Sequence, residues 1–267
     1  QQVDQRGGRH HRRAHRPRRT KRVTVTEIAV IVAAVLVGSL VKSVTGMGFP
    51  IIAVPIMSLY TGPATAIAVI AIPNAAQNLG IAWSHRRALP ETKGLAVFCG
   101  VGVLGAVAGA LTLGVVPEDL TSAVLVTAIA AWVFQALRRP DLVVPENRRS
   151  IVNPLAGALA GIFQGAAGIS GPIVAAWHHG LRLSRNAFIL SIATAFFLTG
   201  AAQIAVLGAR GELAGRLGVS AVLTVIVLGT IPIGARLRER LSGPAFERLV
   251  LAMVAASGLG LLVDILI

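Results

Sequence analysis

Two clusters of glycine and proline break up apolar stretches of the chain: Gly46-Met47-Gly48-Phe49-Pro50 and Gly168-Ile169-Ser170-Gly171-Pro172. Their offset, 168 − 46 = 122 residues, is nearly half of the 267-residue chain. The chemistry open to such clusters is that of bare backbone. Proline ends a preceding helix and removes a donor. Glycine lets N–H groups approach a ligand with no Cβ in the way. A helix that starts at the break turns its free N–H groups and its positive dipole end towards it, which suits an anion. Thr45 and Ser170 add hydroxyls. The candidate binding set is therefore Lys42, Thr45, Gly46, Gly48, Pro50, Gln164, Gly168, Ser170, Gly171 and Pro172.

Lys42 follows an apolar stretch and precedes the first break. A charge at membrane depth costs several kcal/mol and marks a functional site by default. The other reading is that its long stem lets the ammonium reach an interface. Gln164 holds the matching place, 164 − 42 = 122 residues on. Asn74, Gln77 and Asn78 follow Pro73, with Asn74 and Asn78 on one helical face, and Thr194, Thr199 and Gln203 fall in the equivalent helix of the second half. These six either line a path or bond between helices. His178 and His179 follow the second break and read as loop residues before Arg182 and Arg185. Gly102, Gly105 and Gly109 read as packing positions, where small residues let helices approach.

The elements that must hold these residues are membrane helices. Hydrophobic residues make up 54% of the chain and charged ones 13%, against roughly 25% charged in a soluble domain. Apolar runs of about 18 residues or more suffice to cross about 30 Å of hydrocarbon. The spans read as 24–41, 63–83, 94–113 and 119–137 in the first half, with an interrupted element at 43–60. The second half gives 151–163, 186–207, 217–235 and 245–265, with an interrupted element at 165–180. The fold class is all-α: a polytopic membrane protein of two homologous repeats, each of about four helices plus a Gly/Pro-interrupted segment. Residues 1–22 form a basic arm, 23–137 the first repeat, 138–150 a polar linker and 151–267 the second repeat. A helix broken by Gly and Pro is tolerated in lipid only inside protein or beside a polar cavity. Matched breaks in two halves point to the substrate site of a repeat-built carrier.

The arm holds nine Lys/Arg and one acid, Asp4, within the chain's net charge of +14. Such a run beside a span favours the cytoplasm and anionic lipid headgroups. His10, His11 and His15 lie among arginines that repel cations, and no aromatics interleave, so neither a metal nor nucleic acid is an expected partner. The rule that basic loops stay inside groups the arm, His85 to Lys93 and Arg138 to Arg149 on the cytoplasmic side. It then leaves Arg236, Arg238 and Arg240 outside, a conflict that an inverted second half or a fully crossing interrupted element removes; the inverted relation is preferred. One cysteine, Cys99, excludes an internal disulfide. The spans hold no carboxylate pair, phosphate-binding lysine loop or metal constellation, so no cofactor and no catalytic residue is expected. A homo-oligomer is compatible with the sequence.

The glycine-rich break followed by an apolar run and proline, repeated after a polar linker, resembles the TauE/SafE sulfite-exporter family of membrane transporters. The residues that carry it are Gly46-Met47-Gly48-Phe49-Pro50 with Pro55, then Gly161, Gly165 and Gly168-Ile169-Ser170-Gly171-Pro172. The last helix of each half also opens after a proline, Pro117 or Pro244. The resemblance spans residues 24–267. It implies movement of a small sulfur-containing anion (sulfite, a sulfonate or a related oxoanion) across the cell membrane. Two other classes stay in view: an intramembrane serine protease built on Ser170, and a channel or structural membrane protein.

Overall fold

The computed structural model describes residues 24–113, 115–138 and 145–238. The arm at 1–22, most of the linker and the expected helix at 245–265 lie outside these residues. No strand occurs among the described residues, and six helices are long and apolar enough to cross a membrane.

Helix α1 (Val25–Thr45) opens on a capping box: the Glu27 N–H donates to Thr24 Oγ1 and the Thr24 N–H to the Glu27 carboxylate. It ends at Gly46, φ +88°, whose N–H closes the last turn on the Lys42 carbonyl at 2.7 Å. A left-handed residue there suits glycine. Helix α2 (Phe49–Thr61) starts after Gly48 with Pro50 in its first turn, where its missing N–H costs nothing. The second break repeats this order. Helix α6 (Arg149–Ala167) stops at Gly168, φ +69°, with its N–H on the Gln164 carbonyl at 2.8 Å, and α7 (Gly171–Gly180) opens with Pro172. The long helices thus run straight into the breaks. The spans expected at 24–41 and 151–163 are present and run on to Thr45 and Ala167, because Lys42 and Gln164 find partners on neighbouring helices instead of ending them.

Helices α3 (Pro63–Ser84), α4 (Leu95–Thr112) and α5 (Glu118–Arg138) complete the first half, with a 3-10 turn at Arg86–Glu91. The second half continues with α8 (Arg185–Ala209) and α9 (Leu217–Arg238). Specific contacts fix the directions. Arg216 reaches Thr65, Ser220 the Val69 carbonyl, and Ile231 lies at Gly80, so α9 runs parallel to α3. Ser184 bonds Glu91, Thr199 lies at Gly102 and Arg210 reaches Leu111, so α8 runs parallel to α4. Asn153 donates to the Gly94 carbonyl, and the two helices stay in step to Gly109 and Ile162, so α6 is parallel to α4 as well. Phe49 and Ile52 lie against Gly38, so α2 folds back along α1. Consequently α1, α3 and α9 start at one face, called the first, and α4, α6 and α8 start at the opposite, second face.

The helix directions separate basic segments expected on one side. Thr24, where the described residues begin, lies on the first face, whereas His85 to Lys93 and residues 145–148 before α6 lie on the second. Arg236 and Arg238, at the end of α9, join the second face and no longer conflict with the other basic loops. The pairing of helices is exchanged between halves: α1 packs on α9 and α6 on α4, while α3 and α8 cross at the centre. Between α4 and α6 the backbones touch. A Cβ on Gly161 would lie 2.0 Å from the Gly102 carbonyl, and one on Gly165 2.1 Å from that of Ala106. The stripe of Gly102, Gly105 and Gly109 is therefore an interface of close approach.

Candidate anion site at the paired helix breaks

The two breaks meet. One cavity of about 20 Å³ is lined by Lys42, Met47, Gly48, Pro50, Ile51 and Asn74 from the first half, and by Gln164, Gly168, Ile169, Ser170, Gly171 and Phe196 from the second. This is room for about one water molecule. Because α2 leaves the cavity for the first face and α7 for the second, their N-termini face it from opposite sides. Each brings the positive end of its dipole. Pro50 and Pro172 have no N–H, and the Ile173 N–H bonds the Ser170 carbonyl at 3.2 Å, which leaves the Gly171 N–H as the first-turn donor of α7.

Lys42 is 1% exposed. Its ammonium donates to Asn74 Oδ1 at 2.5 Å and sits 5.5 Å from the centre of the Phe196 ring. No carboxylate among the described residues pairs with it. The stem of Lys42 does not carry its charge to an interface, so the snorkelling reading falls. Opposite, the Ser170 hydroxyl donates to Gln164 Oε1 at 3.0 Å, and Gln164 Nε2 donates to Gln203 Oε1 at 3.3 Å. The serine is held by an amide rather than by a base. His178, which a protease would need, turns Nδ1 to the Val174 carbonyl and packs edge-on against Phe98, 4.8 Å between centroids.

Of the candidate set, Lys42, Gly48, Pro50, Gln164, Gly168, Ser170 and Gly171 line the cavity. Thr45 does not: it is exposed and its hydroxyl bonds within its own turn, to the carbonyls of Val41 and Met47. Gly46 lies against Ile192 instead, and Pro172 shapes the start of α7 without reaching the cavity. Asn74 joins the lining, whereas Gln77 and Gln203 act as struts. Gln77 donates to the Ser39 carbonyl at 2.9 Å and Gln203 to the Gly165 carbonyl at 3.0 Å, each 38 residues upstream. Thr199 bonds back to Ala195 within α8, and Thr194 faces a lateral groove beside Val97 and Leu198. Asn78 is fully buried, with both amide atoms unpartnered. His178 lies buried inside α7 rather than in a loop; His179 is exposed.

Sequence reasoning missed Met47, Ile51, Ile169 and Phe196. For Met47 and Ile169 the signal was present, since 169 − 47 = 122 repeats the offset of the breaks. Nothing in the sequence singles out Phe196. Among the described residues no group of His, Cys, Asp and Glu is disposed to hold a metal ion. No curated protein and no solved structure matches the chain. A family model does, that of the sulfite exporter TauE/SafE, over residues 30–261. That match includes both breaks and every residue lining the cavity, and by it the chain belongs to the sulfite exporter TauE/SafE family of membrane transporters.

Proposed function

We propose that this chain carries a small sulfur-containing oxoanion, sulfite first among them, across the cell membrane as a gradient-driven secondary carrier, holding it between the two breaks. The observation that carries the reading is the Lys42 ammonium, buried without a carboxylate among the described residues and facing two helix N-termini. A buried cation without a counter-charge costs several kcal/mol. An arriving anion removes that cost and gains charge-assisted hydrogen bonds from Lys42 and the break N–H groups. Asn74 orients the ammonium, and Gln164 and Ser170 supply amide and hydroxyl contacts from the other half. We read the halves as inverted repeats around this site, an arrangement that lets one packing rock into its mirror.

Short basic loops favour the cytoplasm. The second face carries Arg86, Arg87 and Lys93 after α3, Arg148 and Arg149 before α6, Arg182 and Arg185 before α8, and Arg236 at the end of α9. Among the described loops the first face carries only Arg210 and Arg216, so we place the second face in the cytoplasm; the nine Lys/Arg of residues 1–22 lead into α1 at the other face and pull the opposite way. Attraction of the 1–22 arm to anionic headgroups concerns residues outside those described.

The test is a thermal-shift screen of the purified chain against sulfite, sulfate, thiosulfate, short sulfonates and carboxylates, followed by flux in proteoliposomes. Stabilisation by sulfur oxoanions and saturable, gradient-dependent flux support the reading. Flux that never saturates would make the protein a channel instead.

A further inference from the structure

We infer that Met47 and Ile169 are the two gates of the cavity, Met47 closing it towards the second face and Ile169 towards the first; this rests on the carrier reading above. Two apolar clusters cap the cavity. The first joins α1, α2 and the first half of α3 with Leu113, Leu207 and Leu223, and fills the space from the first face up to the first break. The second joins Leu95, Phe98, Val174, Trp177 and Ile192, near the second face. The two breaks send one cavity-lining residue each into different clusters. Ile169, from the second break, is a buried member of the first cluster, 2% exposed. Met47, from the first break, packs on the second cluster. The glycines before them follow suit: a Cβ on Gly46 would lie 3.0 Å from Ile192 of α8, and one on Gly168 3.5 Å from Ile67 of α3.

Both residues also line the cavity, so each stands between the Lys42 chamber and one apolar cap. With both seated, Lys42, Gln164 and Ser170 are no more than 2% exposed. The cavity of about 20 Å³ holds about one water molecule, and an oxoanion is larger than that. Loading therefore needs one wall to give way. Each gate is flanked by glycine at positive φ (Gly46 and Gly48 around Met47, Gly168 before Ile169), where the backbone turns with least steric resistance. An unbranched thioether repacks more readily than a β-branched side chain, so the Met47 side opens more easily.

The test uses a reporter thiol, Ser170→Cys in a Cys99→Ala background, in right-side-out and inverted membrane vesicles. A membrane-impermeant maleimide reads its accessibility from each face. With both gates intact, labelling is slow from either side. Met47→Ala should raise the rate at least tenfold from one face only, and Ile169→Ala at least tenfold from the other only. Acceleration from the same face in both variants, or no change in variants whose thermal midpoints show them folded, overturns the assignment. If either alanine variant fails to fold, Met47→Val and Ile169→Val must give the same opposite-sided pattern, and its absence overturns the assignment equally. Sulfite-induced thermal stabilisation is measured separately on the wild-type protein. Stabilisation without the opposite-sided pattern would defeat the gates and leave the anion site standing. The pattern without stabilisation would defeat the anion reading and leave the gates.

Discussion

Lys42 Nζ donates to Asn74 Oδ1 at 2.5 Å, and no carboxylate of the described residues faces the pair. An amide oxygen orients an ammonium but does not neutralise it. The remaining charge is what the proposed anion would meet.

Replacing the ammonium should remove binding while sparing the fold. Lys42→Met keeps the stem and its packing and discards the charge. A hydrogen bond to a charged group contributes about 1.5–3 kcal/mol, so sulfite affinity should fall about ten- to hundredfold. Lys42→Arg should recover only part of it, because a planar fork replaces a compact donor. Sulfite titrations of purified variants with unchanged melting temperature are the check.

The two break glycines should differ. Gly48 has φ +116°, and a Cβ there would meet Val41 Cγ1 at 3.1 Å. A side chain in left-handed backbone costs about 1–2 kcal/mol, so Gly48→Ala should lose both stability and anion binding. Gly171 is the first residue of α7 and has no positive φ. Gly171→Ala should hold its stability within about 1 kcal/mol and still lose affinity, since only the approach of the anion to the backbone is obstructed. Paired melting and titration curves separate the effects.

Much of the candidate site was legible in the sequence, because glycine and proline are the strongest local signals in an apolar chain. The matched breaks, Lys42 and its counterpart Gln164 all converge on one cavity. What could not be read was which way the helices run. Lys42 and Ser43 looked like the end of a span, yet Asn74 and Gln77 satisfy them from α3 and the helix continues to Thr45. That extension returns the far end of α2 to the first face and reverses the sidedness of the loops from α3 to the start of α6; the matching extension of α6, with α7 folding back, restores the expected side of the later ones. The crossed seating of Met47 and Ile169 depends on contacts between halves, which spacing alone does not encode. Thr45 carried the right chemistry for the site and is turned away by its own local hydrogen bonds.

The α4–α6 contact should not tolerate a methyl group. In Gly161→Ala the new Cβ would lie 2.0 Å from the Gly102 carbonyl, so the helices must separate. Overpacking of this kind costs typically about 1–3 kcal/mol, and here the obstacle is backbone that cannot rotate away. The melting temperature in detergent should fall clearly. Gly100→Ala, in the same helix α4 but with nothing within 4 Å of its Cβ, should be neutral or slightly stabilising.

Sidedness is open to direct labelling. Leu89, 58% exposed, marks the second face, and Val115, 72% exposed, the first. In a Cys99→Ala background, Val115→Cys should react with an impermeant maleimide on intact cells. Leu89→Cys should react only after permeabilisation. The opposite pattern would place the first face inside.

The most direct measurement is a structure of the protein determined with selenite, the heavier analogue of sulfite, located by its anomalous signal. One strong peak is expected between the two breaks, within hydrogen-bond reach of Lys42 Nζ and of the free N–H groups at the starts of α2 and α7, and it is lost in Lys42→Met. A selenium peak bound elsewhere in the chain, with this cavity empty and sulfite flux intact, would contradict this placement.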